Sequence, residues 1–207
     1  MVELCVILSL LGILALGFVA RQQEAKAKSG RVKCAGNHKH VALAHRVFGN
    51  DHGDRFTMSL STNKGGTLEL VGTGSVISHY LNMTNELGAP QILICPDDRT
   101  RTMRRDFLPL LSNTNVSFTV GLDSDETLPN SFLASDNHMT SSLPRVRGIA
   151  GLSTTDLAGW SQRLHGGGGN FALADGSIQM STSATLWQQV TQALASTRTN
   201  SHRLEFP

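Results

Sequence analysis

The chain has 207 residues, 16% of them charged, and its 18 Lys and Arg against 16 Asp and Glu leave a formal net charge of only +2. So slight a positive excess excludes capture of nucleic acid by bulk electrostatics, and 40% hydrophobic residues supply one modest domain with its own core. Only 5% of residues are aromatic while Gly numbers 20, which predicts a loop-rich globular part.

The first twenty residues, MVELCVILSLLGILALGFVA, are apolar apart from Glu3, the sole charge among them. About 20 residues at about 1.5 Å rise per residue match the hydrocarbon core of a bilayer, so the run predicts a membrane-spanning helix. An ionised carboxylate near one end costs a few kcal/mol in lipid, so Glu3 must snorkel, find a partner or serve assembly. The plainer reading is an anchor with an interfacial Glu. A cleaved secretion signal fits less well, because no basic segment precedes the run and no small-x-small site follows it. Cys5 within it reads as a small apolar packing residue.

Residues 21–29 are largely good helix formers, and no proline occurs before Pro90, so the helix is expected to continue past the apolar run. Beyond Gly30 the pattern turns amphipathic: Cys34, Val41 and Phe48 recur every seven residues, with Ala44 and Val47 on the same face. Gly30 and Gly36 are candidate kinks. A helix continuous to Phe48 would be about 70 Å long. The expected organisation is therefore a helix over residues 1–49, with 1–20 as membrane or filament core and 21–49 as amphipathic stalk, beneath a head over 50–207.

The head reads as mixed α and β, which places the chain in the α+β class. Residues 67–71 and 91–95 have strand character, residues 75–86 suggest a short helix, and residues 116–120 alternate as a half-buried strand does. Residues 170–180 predict two short strands around the Asp175-Gly176 turn. A closing helix over about 184–195 carries Thr185 and Gln188 as a candidate capping box.

Several residues invite a chemical reading. Cys34 and Cys95 lie sixty-one residues apart without zinc-type C-x-x-C spacing. In a head outside the cytoplasm they are candidates for a disulfide, which would contribute about 2–4 kcal/mol, or they remain separate thiols. His165 and Asp175 could belong to a hydrolytic or metal site, yet no Gly-x-Ser-x-Gly elbow or third partner accompanies them. The favoured reading is structural, with Asp175-Gly176 making the hairpin turn and His165 fastening the glycine loop at residues 166–169. His38, His45 and His52 repeat at seven, forming either a transition-metal face or, by preference, a solvated flank. Asp123, Asp125 and Glu126 offer hard oxygens that suit calcium, against the blander reading of a solvated acidic turn. The basic run from Arg99 to Arg105 is expected either to meet an anionic surface or, equally, to be balanced by Asp97, Asp98 and Asp106 of neighbouring subunits, and Trp160 and Trp187 read as core.

Taken together, these pieces resemble a known family. MVELCVIL at the start is similar to the start of mature type IV pilins and type II secretion pseudopilins, whose apolar helix carries a glutamate at its fifth position. KCAGNHKHVALAHRVFGNDHGDRF over residues 33–56 and ILICPDD over 92–98 resemble the pseudopilin-like proteins of planctomycetes and verrucomicrobia. His165, nine residues and Asp175-Gly176 match the spacing after which their prepilin-type class is named.

The resemblance implies a lollipop: a long N-terminal helix packed against a small antiparallel-sheet head. It implies a structural subunit, not an enzyme, that rests in the inner membrane with its head outside the cytoplasm. Secretion or pilus machinery would then assemble it into a homopolymeric pilus or pseudopilus at the cell surface or in the periplasm. Glu3 would neutralise the N-terminal ammonium of a neighbouring subunit, a pairing that sets register because a desolvated charge left alone is costly. Leader cleavage and N-methylation are likewise implied, although Glu3 stands two positions nearer the start than in the family. Arg21, Lys26, Lys28, Arg31 and Lys33 follow the apolar run, and the positive-inside tendency alone would put the head in the cytoplasm. The expectation of an external head rests instead on positive charges in the family's leader. The alternative is a membrane-anchored extracytoplasmic binding module that does not polymerise.

Overall fold

One helix organises the molecule. The computed structural model describes residues 2–108, 111–155, 158–197 and 200–207, and within residues 2–9 the side chains of Glu3 and Ile7 only. The reading of Cys5 lies outside these described side chains. Helix α1 runs unbroken over Val2–Asp51, 50 residues or about 75 Å, so neither Gly30 nor Gly36 interrupts it. Gly30 has a different use: a Cβ there would sit 2.3 Å from both carboxylate oxygens of Asp97. The missing side chain lets that segment of the head lie directly against the helix.

The buried face of α1 is Cys34, His38, Val41, Ala42, Ala44, His45 and Phe48, and around it gather Phe56, Met58, Tyr80, Met83, Leu93 and Phe118. The heptad positions 34, 41 and 48 are buried as their spacing predicts, whereas Val47 is exposed. The histidines correct the solvated-flank reading. His38 and His45 have no exposed surface, while His52 stacks on Phe48 at a centroid distance of 3.9 Å.

Short helices α2 (Val76–Leu81) and α3 (Thr84–Leu87) follow, dividing the helix expected at 75–86. Among the described residues three sheets, all antiparallel, complete the head. Strands β1 (Val120–Gly121), β8 (Ser201–Glu205) and β4 (Ile149–Ser153) form one, and β2 (Phe132–Ser135), β6 (Gly168–Leu173) and β7 (Ile178–Thr182) a second. Strands β3 (Met139–Thr140) and β5 (Gly159–Trp160) pair as the third. Helix α4 (Ser183–Thr197) buries Leu186, Val190 and Leu194 in a second core with Phe132, Leu152, Trp160 and Phe171. The chain is thus α+β with a long N-terminal helix and small antiparallel sheets.

Two strands read from the sequence are absent. Leu68–Leu70 and Pro90–Leu93 are 3-10 turns, the latter opened by a proline that cannot donate to a ladder. Of residues 116–120 only Val120 joins a strand, with Phe118 in an isolated bridge to Asp136. The α4 cap also sits three residues earlier than read: Thr182 and Thr185 bond reciprocally, side chain to backbone N–H, at 3.0 and 3.4 Å. Trp160 is core, but Trp187 is 41% exposed.

The β6–β7 hairpin lies along α1. Arg31 donates to the carbonyls of Gly169 and Ser181, Lys39 to that of Gly176, and Arg46 to that of Asp175, at 2.6–3.1 Å. These cations sit seven or eight residues apart, two helical turns, and so share a face.

Candidate functional site

Two features stand out, one at each end of the α1 burial pattern. Residues 10–29 are exposed without exception, and burial begins at Gly30. Ile7, Leu10, Leu11, Ile13, Leu14, Leu16, Phe18 and Val19 each keep between 53 and 74% of their surface exposed. About 40 Å of helix therefore projects from the head, and over residues 10–20 its surface is apolar all round. Glu3, on the first turn, is exposed as well. Among the described residues, no helix is long and apolar enough to cross a membrane.

The second feature is a buried centre where α1 meets the head. Cys34 and His38 are four residues apart on one helical face and both reach Asp136, which follows β2. The Cys34 thiol donates to Asp136 Oδ1 at 3.1 Å, and His38 Nε2 lies 3.1 Å from the same oxygen. Asp136 Oδ2 accepts from the backbone N–H of Asn170 on β6 at 2.8 Å. Cys95 arrives from the segment after the Pro90 turn, which Asn37 on α1 holds by donating to the Ile94 carbonyl at 2.7 Å. His165 arrives from the loop before β6. Its Nε2 is 3.4 Å from Cys95 Sγ and 3.6 Å from Asp136 Oδ2, and its Nδ1 is 3.1 Å from Asp97 Oδ2.

The loop that delivers His165 is held under strain. His165 has φ +53°, a left-handed conformation that a residue with a Cβ adopts at a cost of order 1–3 kcal/mol. Arg163 fastens the loop: it reaches Asp98 at 3.3 Å, Thr100 at 2.8 Å and the Asn137 side-chain oxygen. Asp98 in turn accepts from Asn137 at 3.1 Å.

Protonation follows from this crowding. Burial pushes the Cys34 thiol strongly upward, reinforced by its hydrogen bond with Cys95. The same hydrogen bond draws Cys95 down to about 6 against its own burial, with His165 helping. Burial would raise Asp136, yet the hydrogen bond with His38 and the nearby rings of His138 and His165 hold it below the carboxylate range. Burial would lower His165, but Cys95 and Asp136 together raise it.

Cys95, His165 and Asp97 have the order of nucleophile, base and orienting carboxylate. Cys95, however, has no exposed surface, so no substrate reaches the sulfur while the fold is closed.

The other residues singled out in the sequence lie elsewhere. Asp175-Gly176 forms the β6–β7 turn, where Gly176 has φ +81° and the Asp175 carboxylate accepts from Ser177 N at 2.7 Å. Among the described contacts none joins Asp175 to His165. The His165 carbonyl does brace the glycine loop through Gly168 N at 3.4 Å, but its ring serves the buried centre. Asp123 is taken by Arg203, Asp125 caps Thr127, and Glu126 faces Arg46 at 3.4 Å, so each carboxylate of the calcium candidate has a protein partner. Cys34 and Cys95 are free thiols.

Asp136 and the role of Asp97 escaped the sequence reading. The available signal was the Ser135-Asp136-Asn137-His138 run closing an apolar strand, because a carboxylate delivered into a core needs partners of its own. No family model, curated protein or solved structure matches the chain.

Proposed function

We propose that this chain is a pilin-like lollipop, a structural subunit of a type IV pilus-like or type II secretion pseudopilus filament, assembled through its apolar N-terminal helix. The observation that carries the reading is the bare stem: large apolar side chains from Ile7 to Val19 stand in the open on the helix that enters the head at Gly30. Covering a Leu, Ile or Phe contributes roughly 1.5–3 kcal/mol, so covering this surface is worth on the order of 10 kcal/mol per subunit. Copies of the same stem can supply that cover in a filament, as lipid would before assembly.

Glu3 is the charge in this apolar rod, and its role is assembly. In a bundle of stems it would pair with the N-terminal ammonium of a neighbour, and a mismatched stagger would leave both charges desolvated and alone. The head, outside the cytoplasm, would form the filament's surface, and the inner membrane and the assembly machinery are the remaining partners.

The test is Glu3→Ala in the native host. Sheared surface material from the wild type is expected to contain filaments under the electron microscope, with this chain identified by mass spectrometry of its N-terminus. The variant is expected to accumulate to normal levels in the membrane fraction and to yield none. Wild-type material without filaments, or a variant that assembles normally, refutes the reading.

A further inference from the structure

We infer that Cys34, Cys95, Asp136 and His165 form a closed site for one zinc-class divalent ion that clamps the stem helix to three segments of the head. One ligand atom from each residue lies within 4.8 Å of the other three. Metal–ligand distances of about 2.0–2.3 Å require a tetrahedron with edges of about 3.3–3.8 Å. The edges Cys34 Sγ–Asp136 Oδ1, Cys95 Sγ–His165 Nε2 and His165 Nε2–Asp136 Oδ2 measure 3.1, 3.4 and 3.6 Å. The two Asp136 contacts are made through different oxygens, so one carboxylate oxygen has to serve both, and edges of up to 4.8 Å have to close by about an ångström to make the cage.

The donor set selects the ion. Two sulfurs, one imidazole nitrogen and one carboxylate oxygen suit a borderline-soft ion such as zinc and are wrong for calcium or magnesium, which take oxygen. Four protein ligands leave no open position, which marks a structural site and agrees with the inaccessibility of Cys95.

Three independent observations support a cation here. Four groups able to ligate converge out of reach of water: the Cys34 thiol faces Asp136 Oδ1, and neither Asp136 nor either cysteine has exposed surface. The ligands are themselves held, with His38 and Asn170 N fixing Asp136 and Asp97 facing Nδ1 of His165. A carboxylate behind a ligating imidazole is the usual outer support of a zinc histidine. Finally, the strained backbone of His165 aims its ring at the cluster. On binding, Cys34 and Cys95 are thiolates and His165 offers its Nε2 lone pair, so protons held on these atoms leave for solvent. A disulfide between Cys34 and Cys95 would use two of the four converging groups, and Asp136 and His165 would keep only their contacts with His38, Asn170 and Asp97.

The experiment uses the full chain in detergent micelles, reduced with a phosphine, stripped of metal and titrated with Co2+ alone. One equivalent is expected to produce the near-ultraviolet thiolate-to-cobalt band and the intense visible bands of a tetrahedral centre, and one equivalent of Zn2+ to bleach them. Cys95→Ser is expected to remove the thiolate band or weaken it by half. Asp97→Asn keeps the stoichiometry but weakens zinc by about 10- to 100-fold. A reduced wild-type chain that leaves cobalt with the spectrum of the free aqueous ion overturns the site. So does a chain purified without reductant that contains no zinc and whose intact mass shows Cys34 and Cys95 already joined. Both readouts are taken on the wild type, so a variant that fails to fold does not blunt them. Neither depends on filaments, so the site and the filament reading stand or fall separately.

Discussion

At the scale of single residues, His45 offers the sharpest prediction. It is fully buried on α1 between Phe56 and Tyr80, and neither ring nitrogen has a hydrogen-bond partner among the described residues. Burial, assisted by the nearby His79, lowers its pKa from 6.5 to about 3. Between those values the unfolded chain takes up a proton that the folded chain refuses, so this site's contribution rises with pH and is lost on acidification. The slope is about 1.4 kcal/mol per pH unit. His45→Leu, which replaces two unsatisfied nitrogens with apolar surface, is expected to shrink the stability difference between pH 7 and pH 4.5 by about 2–3 kcal/mol. Urea unfolding of both proteins at the two pH values measures it, and an unaltered difference would show that His45 is not the acid-sensitive group. The seven-residue repeat of His38, His45 and His52 was visible in the sequence, but the face it marks was misread. A polar ring passes for solvated until Asp136, Phe56 and Tyr80 are known to surround it, and those residues come from distant parts of the chain.

At the scale of elements, the β6–β7 hairpin shows what local chemistry makes readable. Asp-Gly turns accept positive φ, and the hairpin forms where that dipeptide stands, with Gly176 at φ +81°. Gly176→Ala is expected to cost about 1–2 kcal/mol, because the new Cβ meets both the left-handed backbone and the Arg46 side chain at 3.3 Å. A lowered denaturation midpoint with unchanged secondary structure would bear this out, and an unchanged midpoint would not. The strands expected at 67–71 and 91–95 had no such local instruction. Each is a brief apolar run, and brief apolar runs take their conformation from what they pack against. Here the first lies against residues 57–60, with Thr67 and Leu68 donating to the carbonyls of Thr57 and Leu60, and the second against α1, where Asn37 holds the Ile94 carbonyl. The buried centre was legible only in fragments: the burial of Cys34 follows from the helical repeat, His165 and Asp175 read as structural and no described contact joins them, and Asp136 gave almost no sign. Four ligands from four separate segments leave no spacing to read.

For the whole molecule, the division of α1 at Gly30 matters most. None of the described side chains before Gly30 belongs to either hydrophobic core. A chain lacking residues 1–29 is therefore expected to fold, to melt close to the full-length protein, and to sediment as a monomer without detergent, while the intact chain needs detergent to stay dispersed. A truncated chain that unfolds would show that the stem supports the head. The overall plan of a greasy front half and an amphipathic rear half was readable because the first is an unbroken apolar run of about 20 residues and the second keeps a seven-residue repeat over several turns. The sheet order was not, since β8 at the end of the chain inserts between β1 and β4.

An unbroken α1 also has a mechanical consequence. Pulling on the stem delivers the load lengthwise to the rear half of the same rod, where Arg31, Lys39 and Arg46 grip the hairpin at successive points and Cys34 and His38 grip Asp136. These fastenings lie side by side along the rod's flank, so tension shears them together instead of peeling them one by one, and the head resists traction as a unit.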